Sequence, residues 1–444
     1  MRTSRVVIVL AAVLTLVVGA CGGGATTAPT EPAASAPSAA TPSAATPSAA
    51  TPAGPAPSEL SVWVREDTQA FYKLLANEYN KTHETKVVLT PIRQADLVTK
   101  VSSAAATGDL PDVVSTDVAF VKSFLNAGIY TDITGRISAL PYASTILPAY
   151  LQASTKDGAQ FAVPAAIDVS TLFYNKKLFR QAGLDPEKPP TTWDEILKDA
   201  RTINALGGGV KGYYFAGRCG GCNGFTMLPM VWASGGEVVA GNSVTVNSPE
   251  VRALVKFYRQ MWADGLMPSG AETDGGESWT TAFQTGKIGI APYGGFAVSV
   301  FAADPTLEIG ATLIPGSTGG TSSFAGGDVM GITTGAKNPD AAWAFIQWML
   351  SDKVQLDLIA ANGFLVSRTD LADNKYAQAN PLIALHNRAA AIAKVPDTAF
   401  FNELFTNASG PWNLLMQEAV FKNGDIDVAL QHAQAGFEAI IAGR

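Results

Sequence analysis

Carboxylates and aromatic rings, rather than a nucleophile with its base, are the side chains in this sequence whose placement could do chemistry. Asp168 stands between two apolar runs, 161–163 and 171–174. Glu66 and Asp67 follow the alternating residues Leu60, Val62 and Val64, and Thr116 and Asp117 follow the run 111–114. Acids and hydroxyls at strand ends can bind the hydroxyl groups of a small polar molecule, and ionised groups bind them more strongly than neutral ones. Trp279 and Trp412 follow small or polar residues at helix starts, where a flat apolar face could meet a ligand's C–H surface. Arg368 ends the short extended piece 365–368, from which it could reach a cleft or merely snorkel. Asp328 follows Gly326 and Gly327 in an apolar strand, where a buried carboxylate needs a partner. It either binds a ligand or ties a hinge.

Other chemistries find less support. Cys219 and Cys222 could be a redox pair or half of a zinc site, but zinc would want further Cys or His nearby. His83, His386 and His432 are scattered. The acidic loop 272–277 lacks the spacing of a calcium loop and reads as a solvated rim. There is no Gly-x-Ser-x-Gly and no His-Glu-x-x-His. A glycosidase needs two carboxylates flanking one bond, and spacing alone does not pair any two of these acids. Plainer roles compete too. Asp168 could cap the next element, Glu66 and Asp67 could be solvated caps, and Trp232 and Trp343 lie on helical stripes that are more often core.

The elements that must position these residues are well marked. A strand over 60–64, a helix with Phe71, Leu74, Leu75 and Tyr79 on one face, and a strand over 86–89 form a β-α-β opening, which implies a parallel sheet. Ligands of such sheets sit beyond the carboxyl ends of strands, which puts Glu66, Asp67, Thr116 and Asp117 at a rim. Pro164 cannot donate a ladder bond, so a strand over 161–163 should stop or cross there. Thr192 with Glu195 makes a capping box for a helix carrying Trp193, Ile196, Leu197, Ala200 and Ile203. Residues 218–225 read as a flexible loop before the helix containing Trp232. Further helices are expected over 248–262, from Trp279 to Gly286, and from Asn338-Pro339, with a last one burying Ile426, Leu430, Ala433, Phe437 and Ile440.

At 444 residues the chain exceeds one ordinary core, so two lobes are expected. Arg2 and Arg5 precede a short apolar run, 6–18, too brief for a comfortable membrane span. Val18-Gly19-Ala20-Cys21 resembles a lipobox, in which the chain is cut before the cysteine and the cysteine is acylated. Loss of residues 1–20 removes Arg2 and Arg5 and takes the formal charge from −7 to −9. That excess disfavours nucleic acid and leaves no polybasic membrane patch. Residues 21–58 then form an Ala/Thr/Ser/Pro tether that cannot bury a core. An exported chain favours a disulfide between Cys219 and Cys222, a staple that would shape the 218–225 loop.

Phe161-Ala162-Val163-Pro164, Phe173-Tyr174-Asn175-Lys176, Ala182-Gly183-Leu184 and Pro190-Thr191-Thr192-Trp193-Asp194-Glu195 resemble, in that order, bacterial extracellular solute-binding proteins of the carbohydrate type. These are the relatives of maltodextrin-binding protein. The stretches 108–114 and 324–332 fit the same family, so the resemblance spans about 59–442. It implies an α/β two-lobe periplasmic-binding-protein fold of type II-like form, with several crossovers and a ligand cleft between the lobes. The first lobe would hold 59–166 and 327–375, and the second 167–326 and 376–444. By motif position the ligand-facing acid is Asp168, and the stacking aromatics are Phe296, beside Tyr293, and Phe225, near Asn223. The polar pair is Glu66 and Asp67, and the second crossover brings Gly327 and Asp328. Tyr293 and Phe296 could instead be core. Phe296 and Phe225 stand where the maltodextrin pattern has Trp and Tyr, and Thr116-Asp117 replaces an aromatic-led pair. Both departures point away from maltodextrin, the second toward a smaller or more polar ligand. The resemblance further implies a monomeric, lipid-anchored, extracytoplasmic binder without cofactor or enzyme activity. It would hand a sugar to an ABC permease in the membrane. A glycerol-phosphate-type polyol binder and a surface sensor or adhesin are the alternatives.

Overall fold

Two long strands carry the backbone between the halves of the molecule. A computed structural model describes residues 59–443; the leader, Cys21 and the tether lie outside the described residues. The order across the main sheet is Lys86–Ile92, Glu59–Arg65, Val113–Asp117, Thr321–Ile332, Val163–Asn175, Ile288–Gly294 and Lys211–Tyr213. The first three are parallel, as the β-α-β reading required. The strand Thr321–Ile332 runs antiparallel to its neighbours on both sides. Its far end pairs Val113–Asp117 in the first lobe, and its near end pairs Ile167, Asp168 and Val169. The strand Val163–Asn175 then leaves this partner and pairs Ile288–Gly294 and Ile309–Thr312 in the second lobe.

The apolar runs on either side of Asp168 are therefore one strand, not two. Pro164 lies inside it, opposite Val329, where the register slips between Gly327 and Val329. A bulge of that kind leaves a position without a ladder bond, which proline tolerates. Gly327 sits at φ +75°, and a Cβ there would strike the carbonyl of Ala166. Only glycine fits such a bend.

Strand alternation splits the first lobe's core between the two faces of its sheet. Leu60, Val62, Val64, Val113, Met330 and Ile332 pack on one face, and Val114 and Val329 on the other. The second lobe has one large core, in which the helix Trp193–Asn204 buries Trp193, Ile196, Ala200 and Ile203. Trp232 and Trp343 are core residues of their helices. Thr192 caps its helix through Glu195 N–H, but Glu195 reaches back to the N–H and hydroxyl of Thr191 rather than to Thr192. Residues 218–225 are not a loop: Gly220–Ala233 is helical, with Cys219 as its N-cap. Cys219 and Cys222 are joined as a disulfide within its first turn.

The third passage between lobes comes later than residue 375. On the helix Pro381–Ile392, His386 bonds Thr171, while Ala389 and Ala390 pack in a first-lobe core. Ala393–Lys394 pairs Ser323 and Phe324, and only then does the carbonyl of Asp397 meet Gly241 N–H in the second lobe. Among the described residues no helix is long and apolar enough to cross a membrane.

Candidate functional site

Between the lobes lies a cavity of about 1340 Å³. Its floor is the crossover backbone at Ala166, Ile167, Asp168, Gly326 and Gly327. Of the residues singled out from sequence, Asp67, Asp117, Asp168, Phe225, Trp279, Phe296 and Gly327 line it.

Asp168 sits where the first crossover strand changes partners, opposite Gly326 on one side and next to the Gly294 register on the other. Its side chain is half-buried. Oδ1 accepts the N–H of Phe296 at 3.3 Å, so the acid also fixes the Gly-rich turn that aims Phe296. Burial pushes its pKa up to about 6, against the backbone N–H groups of Val169, Phe296 and Gly295 and the charge of Arg65. Tyr150 ties the same strand down from behind, donating to the carbonyls of Asp168 at 3.0 Å and Gly326 at 2.7 Å.

Phe296 is 42 % exposed within the cleft, and Trp279 meets it edge-on at 5.7 Å. Phe225 packs over the crossover, where a Cβ on Gly326 would lie 2.6 Å from its ring. Phe225, Phe324, Phe401 and Phe120 form a chain of ring contacts at 5.3, 5.8 and 5.7 Å. Phe120 belongs to the first lobe and Phe401 to the second, so this wall bridges both. Beside it Lys122 pairs with Asp397, and Ser123 Oγ donates to Ala399 at 2.6 Å.

Arg65 lines the first-lobe wall with its guanidinium already engaged. Nε lies 2.5 Å from Asp328, and Nη1 lies 3.3 Å from Asp117. Burial pulls this guanidinium down, but Asp328 and Asp117 outweigh it and hold it above its ordinary value. Burial raises the Asp117 carboxyl, opposed by Arg65 and by Ala119 N–H.

The other residues expected at the site lie elsewhere. Asp328 is fully buried beneath the cleft and accepts from Arg65, Thr68, Tyr72 and Ser115, so of its two readings the tie is the one observed. Arg368 is buried between Asp352 and Asp370 with its guanidinium over the Tyr142 ring, so it neither reaches the cleft nor snorkels. Trp412 is core against Phe405. Tyr293 also points into the core, because strand alternation turns it from the cleft, and its hydroxyl donates to the Trp279 carbonyl at 2.8 Å. Asn223 is buried, since residues two apart on a helix face opposite ways and Phe225 takes the cleft side. Thr116 is buried, and Glu66 is exposed outside the cavity wall.

Several lining residues carried no sequence signal. His386 lies behind Asp168, with Nδ1 donating to the Leu382 carbonyl at 2.6 Å and Nε2 facing the Thr171 hydroxyl at 3.0 Å. Burial lowers its pKa to about 4, so the ring is neutral at pH 7. Asn402, Glu403 and Thr406 reach the wall from a π-helical turn, Asn402–Thr406, whose five-residue spacing escapes a search for helical periodicity. Among the described residues, no group of three or more His, Cys, Asp or Glu is arranged to hold a metal.

Two α/β lobes, three passages and an interlobe cavity with aromatic and acidic walls define a solute-binding architecture. The sequence pattern of the bacterial extracellular solute-binding protein family matches residues 63–356, and the chain belongs to that family. A putative binding protein of Brucella abortus (strain 2308) is 25% identical over 352 residues, covering 78% of this chain and 83% of its own. The diacetylchitobiose binding protein DasA of Streptomyces coelicolor is 25% identical over 354 residues, 77% of this chain and 78% of its own. Among solved structures, the cyclic alpha-maltosyl-1,6-maltose binding protein of Arthrobacter globiformis superposes with a TM-score of 0.76 at 25% identity. It covers 88% of this chain and 100% of its own.

Proposed function

We propose that this chain is the capture subunit of an ABC importer, closing two lobes on a sugar or oligosaccharide and presenting it to a membrane permease. The observation that carries this reading is the pairing of uncovered aromatic faces with carboxylates in one interlobe cavity. Phe296 and Trp279 offer flat apolar surface for sugar C–H faces. Asp117 and Asp168 offer acceptors for hydroxyls. Asp67 and Glu403 add further acids to the lining. A ligand that prefers the closed form shifts the population toward it by its differential affinity. A polyol phosphate fits less well, because Arg65 is already committed to Asp328 and Asp117.

The relatives named above are binding proteins, and we read this chain as a binder rather than an enzyme. The lipobox-like Val18-Gly19-Ala20-Cys21 supports acylation at Cys21, with 21–58 as the tether of a monomer on the outer face of the membrane. Cys21→Ala should release the protein from the membrane fraction.

A thermal-shift screen over mono- and oligosaccharides tests the main reading. A ligand at a hundredfold excess over its Kd adds about 2.7 kcal/mol to apparent stability. At least one sugar should raise the melting temperature by a few degrees. A flat response across neutral, amino and acidic sugars would overturn the proposal.

A further inference from the structure

Resting on the sugar-binding reading, the charge balance of the cleft narrows the ligand class. The lining carries Asp67, Asp117, Asp168 and Glu403, and its cation, Arg65, is already held by Asp328 and Asp117. Asp328 is wholly buried, so Arg65 brings no net positive charge to a ligand. Asp168 is different: it is desolvated, it opens on the cavity, and among the described residues the cationic side chain acting on it is this same committed Arg65. The neighbouring imidazole of His386 is neutral. A desolvated carboxylate without its own counter-ion is costly, and a cation from outside would relieve that cost.

Aromatic rings stand at the same point. A methyl group at Gly294 would lie 2.5 Å from Asp168 Oδ2 and 2.6 Å from a carbon of the Phe296 ring, so carboxylate and ring share the space over Gly294. Trp279 closes the corner edge-on to Phe296. A carboxylate beside an aromatic pair suits an ammonium group, which gains from the ion pair and from ring contact together. A hydroxyl in that position gains a hydrogen bond alone.

We infer that the preferred ligand is an amino sugar, seated with its protonated nitrogen in the corner formed by Asp168, Phe296 and Trp279. The remaining hydroxyls meet Asp117 and the first-lobe rim.

The test uses the full-length chain and sugars that differ by an amine in place of a hydroxyl: glucosamine with glucose, galactosamine with galactose, deacetylated chitotriose with cellotriose. Calorimetry at about pH 7 and low salt should show the amine member of at least one pair binding about tenfold or more tighter. Raising the salt should erode that preference. Asp168→Asn keeps an acceptor oxygen but removes the charge, so it should abolish the preference while weakening the hydroxyl partner less. Hydroxyl members that bind as tightly as, or tighter than, their amine partners would overturn the inference and leave the sugar-binding function standing. If no member of any pair binds, and neutral sugars fail in the thermal screen as well, the sugar-binding reading falls and takes the inference with it.

Discussion

Nε of Arg65 lies 2.5 Å from Oδ1 of Asp328, a contact between residues 263 positions apart. It joins the end of the first strand to the bulge of the second crossover. Thr68, Tyr72 and Ser115 complete the shell around the same carboxylate at 2.7, 3.1 and 2.9 Å. Asp328→Ala would leave the buried guanidinium with Asp117 alone. Breaking a buried pair from one side costs about 3–5 kcal/mol. Urea denaturation should show a loss of that order, and a loss under about 1 kcal/mol would mean that the pair does not hold the hinge.

Asp168 makes a prediction of opposite sign for stability. Its carboxyl titrates near 6 in the folded protein and near 3.8 in the unfolded chain, so the folded state holds the extra proton between those values. The penalty for keeping it ionised is therefore full above about pH 6 and fades as the pH falls toward 4. Arg65, the charged group that acts on it, remains in the variant, and His386, whose pKa burial lowers to about 4, takes up its proton only at the bottom of that window. Asp168→Asn should stabilise the ligand-free protein by about 1–3 kcal/mol at pH 7 and by less at pH 4.5. It should also weaken ligand binding by more than tenfold. Melting temperatures of both proteins across that range check the first claim; an unchanged or inverted difference would refute it.

Phe296 and Trp412 separate binding from folding. Phe296 is 42 % exposed, so Phe296→Ala should cost under about 1 kcal/mol of stability but at least tenfold in sugar affinity. Trp412 is wholly buried, and Trp412→Ala should cost about 3–5 kcal/mol. Calorimetric titration beside thermal melts would show this contrast, and similar stability losses for both variants would contradict it.

Cys219 and Cys222 close a short loop at the head of a helix whose Gly221, Cys222 and Phe225 line the cleft. Loop entropy assigns a bridge of this span about 2 kcal/mol or less. The double variant Cys219→Ser with Cys222→Ser should melt a few degrees lower and bind less tightly. Two free thiols in the native protein by mass spectrometry would remove the staple.

Gly327→Ala would force a Cβ into the Ala166 carbonyl at φ +75°. A loss of several kcal/mol in denaturant titration is expected, about 1–3 of it from the backbone conformation alone. A substitution that is tolerated within about 1 kcal/mol would mean that the bend can relax.

The elements easiest to read in the sequence were those fixed by local chemistry. Caps at Thr192, Ser248 and Asn338 bond N–H groups within three residues, and periodic apolar faces announce the helices behind them. Asp168 and Phe296 were legible because short motifs frame them. Arg65 carries no such frame, since its partner Asp328 lies far along the chain. Asp328 and Tyr293 show a second limit: on a strand, one step of register or one bulge decides whether a side chain meets the cleft or the core. Asn402 and Thr406 show a third, because they belong to a π turn that repeats no familiar spacing.

The pairing of 113–117 with 328–332 has a consequence for biogenesis. A nascent polypeptide shorter than about 330 residues lacks the strand that covers that inner edge, and an open edge invites foreign pairing. Neither half is a contiguous stretch, so neither can be finished while the ribosome is still at work. Completion of either half must wait for nearly the whole polypeptide, and any prematurely terminated product is left with that edge bare.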